Sequence, residues 1–178
     1  MADARSEESV GLETPDFRDR VFELDPIGWI RTPWVRLSDC PKNPAESDAL
    51  AEVDVFEPFR AGLASLDTVS HVILVYWLDR ADRTMLTVTP PMDAREHGVF
   101  ATRAPVRPNP IGMSIADLIS LDAEAGRLVV RHIDCLSGTP LLDIKPYFAT
   151  IDSKPNARVG WHDMRREPSA DRGWPGQE

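Results

Sequence analysis

Residues 26–31, 51–56, 71–78, 86–89, 98–102, 112–121, 127–133 and 141–144 are β-branched, aromatic or alternating runs, bounded by Pro, Gly, Asn or Asp. That cadence leaves little room for long helices and predicts a barrel or sandwich of short strands. Within 112–121 the odd positions Met113, Ile115, Ile119 and Leu121 are apolar, the alternation of a strand with one apolar face. The DAEAG run at 122–126 then reads as the hairpin loop into LVVRHI. The one helix predicted inside this body covers 58–66 (PFRAGLASL), where Phe59, Leu63 and Leu66 fall at helical spacing.

Apolar content drops at both ends of the 178 residues, so a polar, disordered segment 1–20 and a polar tail 153–178 are expected to flank one body, 21–152. Trp161 and Trp174 of the tail are candidates to dock on that body or on a partner. The longest apolar stretch, 72–78, is far short of the ~20 residues of a membrane-spanning helix. With no apolar signal region in the first twenty residues, a cytoplasmic address and no membrane partner are the expectation. Cys40 and Cys135 make neither a disulfide framework nor a paired metal motif, and both are expected as reduced thiols.

Several chemistries are excluded by what is missing. The ten glycines never form G-x-G-x-x-G or a P-loop, so neither a Rossmann turn nor a nucleotide-cradling loop is present. The four histidines show no i, i+4 pair, and no metal is expected. There is no G-x-S-x-G elbow. Net charge is −9, and the body 21–150 alone carries 18 acids against 12 bases, so a uniformly basic nucleic-acid face is absent.

Three segments combine stiff backbone with polar side chains. In GVFATRAPVRPNPIGMS (98–114), prolines preset a loop bearing Arg103, Arg107 and Asn109. Guanidiniums held in this way suit an anion, although the body's surplus carboxylates offer them ordinary ion-pair partners too. In DCLSGTPLLDIKPYF (134–148), Asp143, Lys145 and Tyr147 alternate onto one strand face. They either hold a polar ligand and accept a proton or form an ion pair at a sheet edge. The third, DCPKNP (39–44), reads by itself only as a turn.

Taken in order, PIGWIRTP (26–33), CPKNP (40–44), LDTVSHVILVYW (66–77), GVFATRAPVRPNPIGMS (98–114) and SGTPLLDIKPY (137–147) closely resemble the TsaA-like family, also called the TrmO family, of S-adenosylmethionine-dependent methyltransferases. The resemblance implies a mainly β, single-domain TsaA-like barrel with one or two short helices and no Rossmann sheet. It implies S-adenosyl-L-methionine as cofactor, a homodimer with sites near the subunit contact, and N6-methylation of N6-threonylcarbamoyladenosine beside the tRNA anticodon.

Carried over by position, the implied cofactor contacts are Pro41, Lys42, Asn43, His71, Val72, Arg103, Met113, Leu136, Ser137, Gly138 and Thr139. Asp143, with Lys145 and Tyr147, is the candidate catalytic group, and Arg107 or Lys145, with Asn109, the candidate for the substrate's threonyl carboxylate. Ser137 stands where the family usually has Asp, and 78–97 is short and acidic where tRNA-modifying relatives carry a longer basic insertion. The acidic body and the short insertion favour one alternative, methylation of a small metabolite, and a second alternative from a different class is a non-catalytic S-adenosylmethionine-binding module.

Overall fold

The computed structural model describes residues 21–91 and 93–163. In chain order its strands are β1 (Gly28–Arg31), β2 (Leu50–Val55), β3 (His71–Trp77), β4 (Thr87–Val88), β5 (His97–Gly98), β6 (Ile111–Asp122), β7 (Arg127–Arg131) and β8 (Thr139–Pro146). Six of them close an antiparallel barrel in the order β1-β2-β7-β6-β3-β8, with β8 pairing back onto β1, and β4 and β5 form a separate ribbon. Closure leaves the barrel without an unpaired edge. The interior is built by alternation: Ile30 from β1, Val53 from β2, Val72 and Leu74 from β3, Leu128 and Val130 from β7 and Leu141 from β8 are all fully buried.

The long strand β6 has its apolar face outside. Gly112, Ser114 and Ala116 point inward, while Met113, Ile115 and Ile119 are 44–47% exposed. Register explains the inversion, because directly paired residues share a face and Gly112, Ser114 and Ala116 stand opposite the inward-facing Tyr76, Leu74 and Val72. A register shift between Leu118 and Ser120 then bends β6 onto β7 and changes its facing, so that Leu121 packs against the core. The hairpin expected at 122–126 is present. Asp122 accepts the Ala125 N–H at 2.9 Å and Gly126 takes the left-handed conformation (φ +74°) that the turn requires.

Two expected elements differ. Residues 98–102 do not form a strand: β5 stops at Gly98 and a 3-10 turn, Val99–Ala101, follows, because Thr102 returns its N–H to Val99. The helix expected over 58–66 is a 3-10 helix, Glu57–Leu63, opened by Pro58 and weakened by Gly62. It buries Leu63 but leaves Phe59 exposed. Arg60 ties it to the barrel through the carbonyls of Val55 and Glu124.

Two four-residue helices follow the barrel, α1 (Ala149–Asp152) and α2 (Gly160–Asp163). Trp161 of α2 docks on the body, its ring 4.5 Å from that of His97 and its N–H bonded to the Ala101 carbonyl at 2.9 Å. Trp174 lies outside the described residues. Among the described residues no helix is long and apolar enough to cross a membrane.

Candidate functional site

The Pro-rich loop before β6 is shaped by its own arginines. Prolines supply no N–H, so carbonyls in the segment must find donors elsewhere. Arg107 supplies them: Nε donates to Ala104 O at 2.8 Å, and Nη2 donates to Val99 O at 3.0 Å and Thr102 O at 2.6 Å. Arg103 reaches across to β6, Nη2 donating to Met113 O at 2.6 Å. Arg83 pins the far side, donating to Pro108 O at 3.0 Å with its guanidinium 5.4 Å above the Trp77 ring. Neither Arg103 nor Arg107 makes an ion pair among the described residues.

Against this loop lies a cavity of about 520 Å³, at the end of the barrel where β3 leaves and β6 enters. One wall is Lys42, Asn43 and Pro44, from a loop in which the Asn43 side chain accepts the Ala45 N–H and so caps the 3-10 turn Pro44–Glu46. A second wall is Arg103, Ala104 and Arg107. Leu78, Ile111 and Met113 make it apolar on the barrel side, and Tyr76, Gly112 and Asp134 line it as well.

Beneath it Tyr76 Oη lies 2.9 Å from Ser114 Oγ and 3.2 Å from Asp134 Oδ1, and Ser114 Oγ is 3.4 Å from the same carboxylate oxygen. Burial, with the Asp134 charge adding to it, raises the Tyr76 phenol far above its ordinary value, so it remains a protonated donor. Gly112 is what admits that ring, because a Cβ there would fall 2.1 Å from Tyr76 Cε2.

Of the residues singled out in the sequence, Lys42, Asn43, Arg103, Arg107 and Met113 come together around this cavity; Pro41, next to Lys42, does not line it. His71 and Val72 sit at the opposite end of β3. Val72 is fully buried in the core, while His71 is half exposed, its Nδ1 2.8 Å from Ser70 Oγ and its Nε2 3.4 Å from Asp117 Oδ1. Asp117 also accepts from Arg131 at 2.7 Å and lies 3.4 Å from His132, and the Arg131 hydrogen bonds hold its carboxyl below the usual range.

Leu136, Ser137, Gly138 and Thr139 pin the last loop instead of lining the cavity. Ser137 and Gly138 give their N–H groups to Trp34 O and Ile30 O, and the buried Thr139 bonds Leu136 O. Asp143 and Lys145 pair with each other at 2.5 Å on the outside of β8, in register with Val75 and Ile73. Tyr147 lies 6.3 Å from His71, ring to ring. Asn109 is exposed and outside the cavity lining.

Tyr76 and Asp134 were not among the residues the sequence pointed to, and the available signals were weak: a hydroxyl ending an aliphatic run, and an acid just ahead of the Ser-Gly-Thr turn. Both cysteines are free thiols, and burial pushes that of Cys135 up to about 12.

A family model described as the tRNA-methyltransferase O N-terminal domain matches residues 29–153. A relative in Archaeoglobus fulgidus is 47% identical over 143 residues, covering 80% of this chain and 38% of its own length. Another protein of that organism, named an S-adenosyl-L-methionine-binding protein, is 42% identical over 129 residues, 72% of this chain and 91% of its own. The crystal structure of TrmO from Pseudomonas aeruginosa superposes with a TM-score of 0.68 at 36% identity, over 83% of this chain and 64% of that one. The chain thus spans little more than a third of the first relative and just under two thirds of the crystallised protein.

Proposed function

The chain belongs to the tRNA-methyltransferase O family, and on that premise we propose that it is an S-adenosylmethionine-dependent methyltransferase acting on the exocyclic nitrogen of N6-threonylcarbamoyladenosine in tRNA. The observation that carries this reading is the cavity at the barrel end, where Lys42, Asn43, Arg103 and Met113 meet from three separate segments of the chain.

The residues present fit the cofactor. A volume of about 520 Å³ suits a ligand of that size. Lys42 and Arg103 would take the carboxylate end, the apolar wall of Leu78, Ile111 and Met113 would take the adenosyl end, and Asp134 is the one acid among the lining residues. When bound, S-adenosylmethionine supplies a methyl group activated by its sulfonium, so the protein's own contribution is alignment and exclusion of water. The loop braced by Arg107 gives those side chains a fixed frame.

We infer further that the working form is a homodimer packed through the outside of β3 and β6. Ile111, Met113 and Ile115 there are half exposed, and Trp77, Val75 and Ile73 lie beside them in register. The cavity opens at one end of this apolar strip, and His71, Tyr147 and Lys145 lie toward the other. A two-fold axis through the strip sets each end against the opposite end of the other copy. His71, Lys145 and Tyr147, toward the end of the strip away from the cavity of their own chain, would then face that of the second copy, while Asp143 lies beside the middle of the strip.

The test is single-turnover methyl transfer to threonylcarbamoyl-modified tRNA, expected to yield the N6-methylated nucleoside. No transfer where a family member of known activity modifies the same RNA would defeat the tRNA reading. Turnover of the cofactor in extract would then point to a small acceptor, and binding without turnover to a binding module.

A further inference from the structure

We propose that Asp134 selects for positive charge at the centre of the ligand, so that the cavity holds a sulfonium more tightly than the neutral thioether that differs from it by one methyl cation. The inference rests on the reading of the cavity as an S-adenosylmethionine site.

Asp134 lines the cavity, and every hydrogen bond the structure gives its side chain lands on Oδ1, from the hydroxyls of Tyr76 at 3.2 Å and Ser114 at 3.4 Å. Oδ2 receives none among the described residues. Those donors are neutral, and no Lys, Arg or His among the described residues pairs with it. Other half-buried carboxylates of this fold are treated differently. Asp117 is bonded to Arg131 at 2.7 Å, and Asp54 is flanked by Arg31 at 2.7 Å and Arg127 at 3.6 Å. Buried Asp93 has Arg95 at 3.3 Å and His97 at 3.2 Å.

Cations were available to Asp134 as well. Lys42, Arg103 and Arg107 line the same cavity, yet the hydrogen bonds of both arginines go to backbone carbonyls. The fold therefore orients a partly desolvated carboxylate with two neutral hydroxyls and gives it no ion pair among the described residues, so a positive centre brought in by the ligand meets a carboxylate without a cation in contact with it. Tyr76 is suited to this role because its raised pKa keeps it a donor and never a competing anion. The ligand's amino group and ribose hydroxyls are present before and after methyl loss. Only the sulfur changes charge, so discrimination between the two forms isolates an interaction with sulfur.

Calorimetric titration of the full chain and of Asp134→Asn with S-adenosylmethionine, S-adenosylhomocysteine and sinefungin tests this; sinefungin places an ammonium where the sulfonium stands. The substitution is expected to weaken binding of both cationic ligands about tenfold and to leave S-adenosylhomocysteine within about twofold. Equal loss for all three ligands, or none for any, would overturn the proposal. Should the variant fail to melt cooperatively, the wild-type protein decides: it is expected to bind the two cations at least fivefold tighter than S-adenosylhomocysteine, and the reverse order overturns the idea. Wild-type protein that binds none of the three removes the cofactor reading itself, whereas binding without discrimination removes only the role of Asp134.

Discussion

Three carbonyls in the segment 99–104 converge on one guanidinium, and none of the groups receiving those bonds is a carboxylate. Arg107 is therefore a brace for the loop that presents Arg103, and truncating it should do more than remove one charge. Arg107→Ala is expected to lower the melting temperature and weaken S-adenosylmethionine binding together, and Arg107→Lys should not rescue either, because an ammonium lacks the planar fork that spans three acceptors. Arg103→Ala, by contrast, should cost about 1–3 kcal/mol of cofactor affinity with a smaller change in melting. Parallel effects from the two variants in calorimetry and thermal unfolding would undo this division of labour. Buried acids give a second test at this scale. Cys135 and Tyr76 both have pKa values raised by burial, so the folded protein keeps protons that the unfolded chain releases as pH rises past the ordinary thiol value near 8.5. The Cys135 contribution to stability is intact below that pH and is lost as pH climbs toward about 12, while the Tyr76 contribution begins to fall only past the ordinary phenol value near 10. Urea midpoints should fall across that window, and Cys135→Ala should flatten the decline relative to its own neutral-pH value; an unchanged slope would contradict the assignment.

Strand β6 shows what the sequence makes legible and what it does not. Alternation over 112–121 identifies a strand, and the Asp and Gly of the following turn identify its hairpin. Which face is inside depends on the partner strand, since Gly112, Ser114 and Ala116 are interior because they oppose Tyr76, Leu74 and Val72. No single run carries that information. The same holds for the site: Lys42, Arg103 and Met113 lie in segments stiffened by proline that stand out in the sequence, whereas Tyr76 and Asp134 meet only through barrel register and a distant loop. Likewise 58–66 has helical spacing of its apolar residues, but Pro58 and Gly62 leave a 3-10 helix. The outward apolar face of β6 yields a further expectation. Ile115→Glu sits mid-strip, outside the cavity lining, and should leave the melting temperature close to that of a wild-type monomer while abolishing association in sedimentation. Retained dimers would move the subunit contact off this strip.

At the scale of the molecule, the proposed tRNA substrate would have to be held by a body with a net charge of −6 over residues 21–150. Cations near the cavity differ in how much charge they leave free. Arg95 is spent on Asp93, while Arg83, Arg103 and Arg107 are bonded to carbonyls, which orient a guanidinium without neutralising it. With Lys42 these place four cations in and beside the cavity of a body whose net charge is negative. Each phosphate neutralised contributes about −0.7 to −0.9 to the slope of log affinity against log salt. Three or four such groups therefore predict a shallow slope of roughly −2 to −3.6 for threonylcarbamoyl-modified tRNA, with weak overall binding and specificity carried by the modified base in the cavity. Arg83→Ala, which touches the loop from outside the cavity lining, should reduce the magnitude of that slope by about one phosphate's worth. Fluorescence anisotropy across a salt series measures it directly. A slope steeper than about −5 would require a basic surface that the body does not carry, and would shift the RNA contact to the flanking segments.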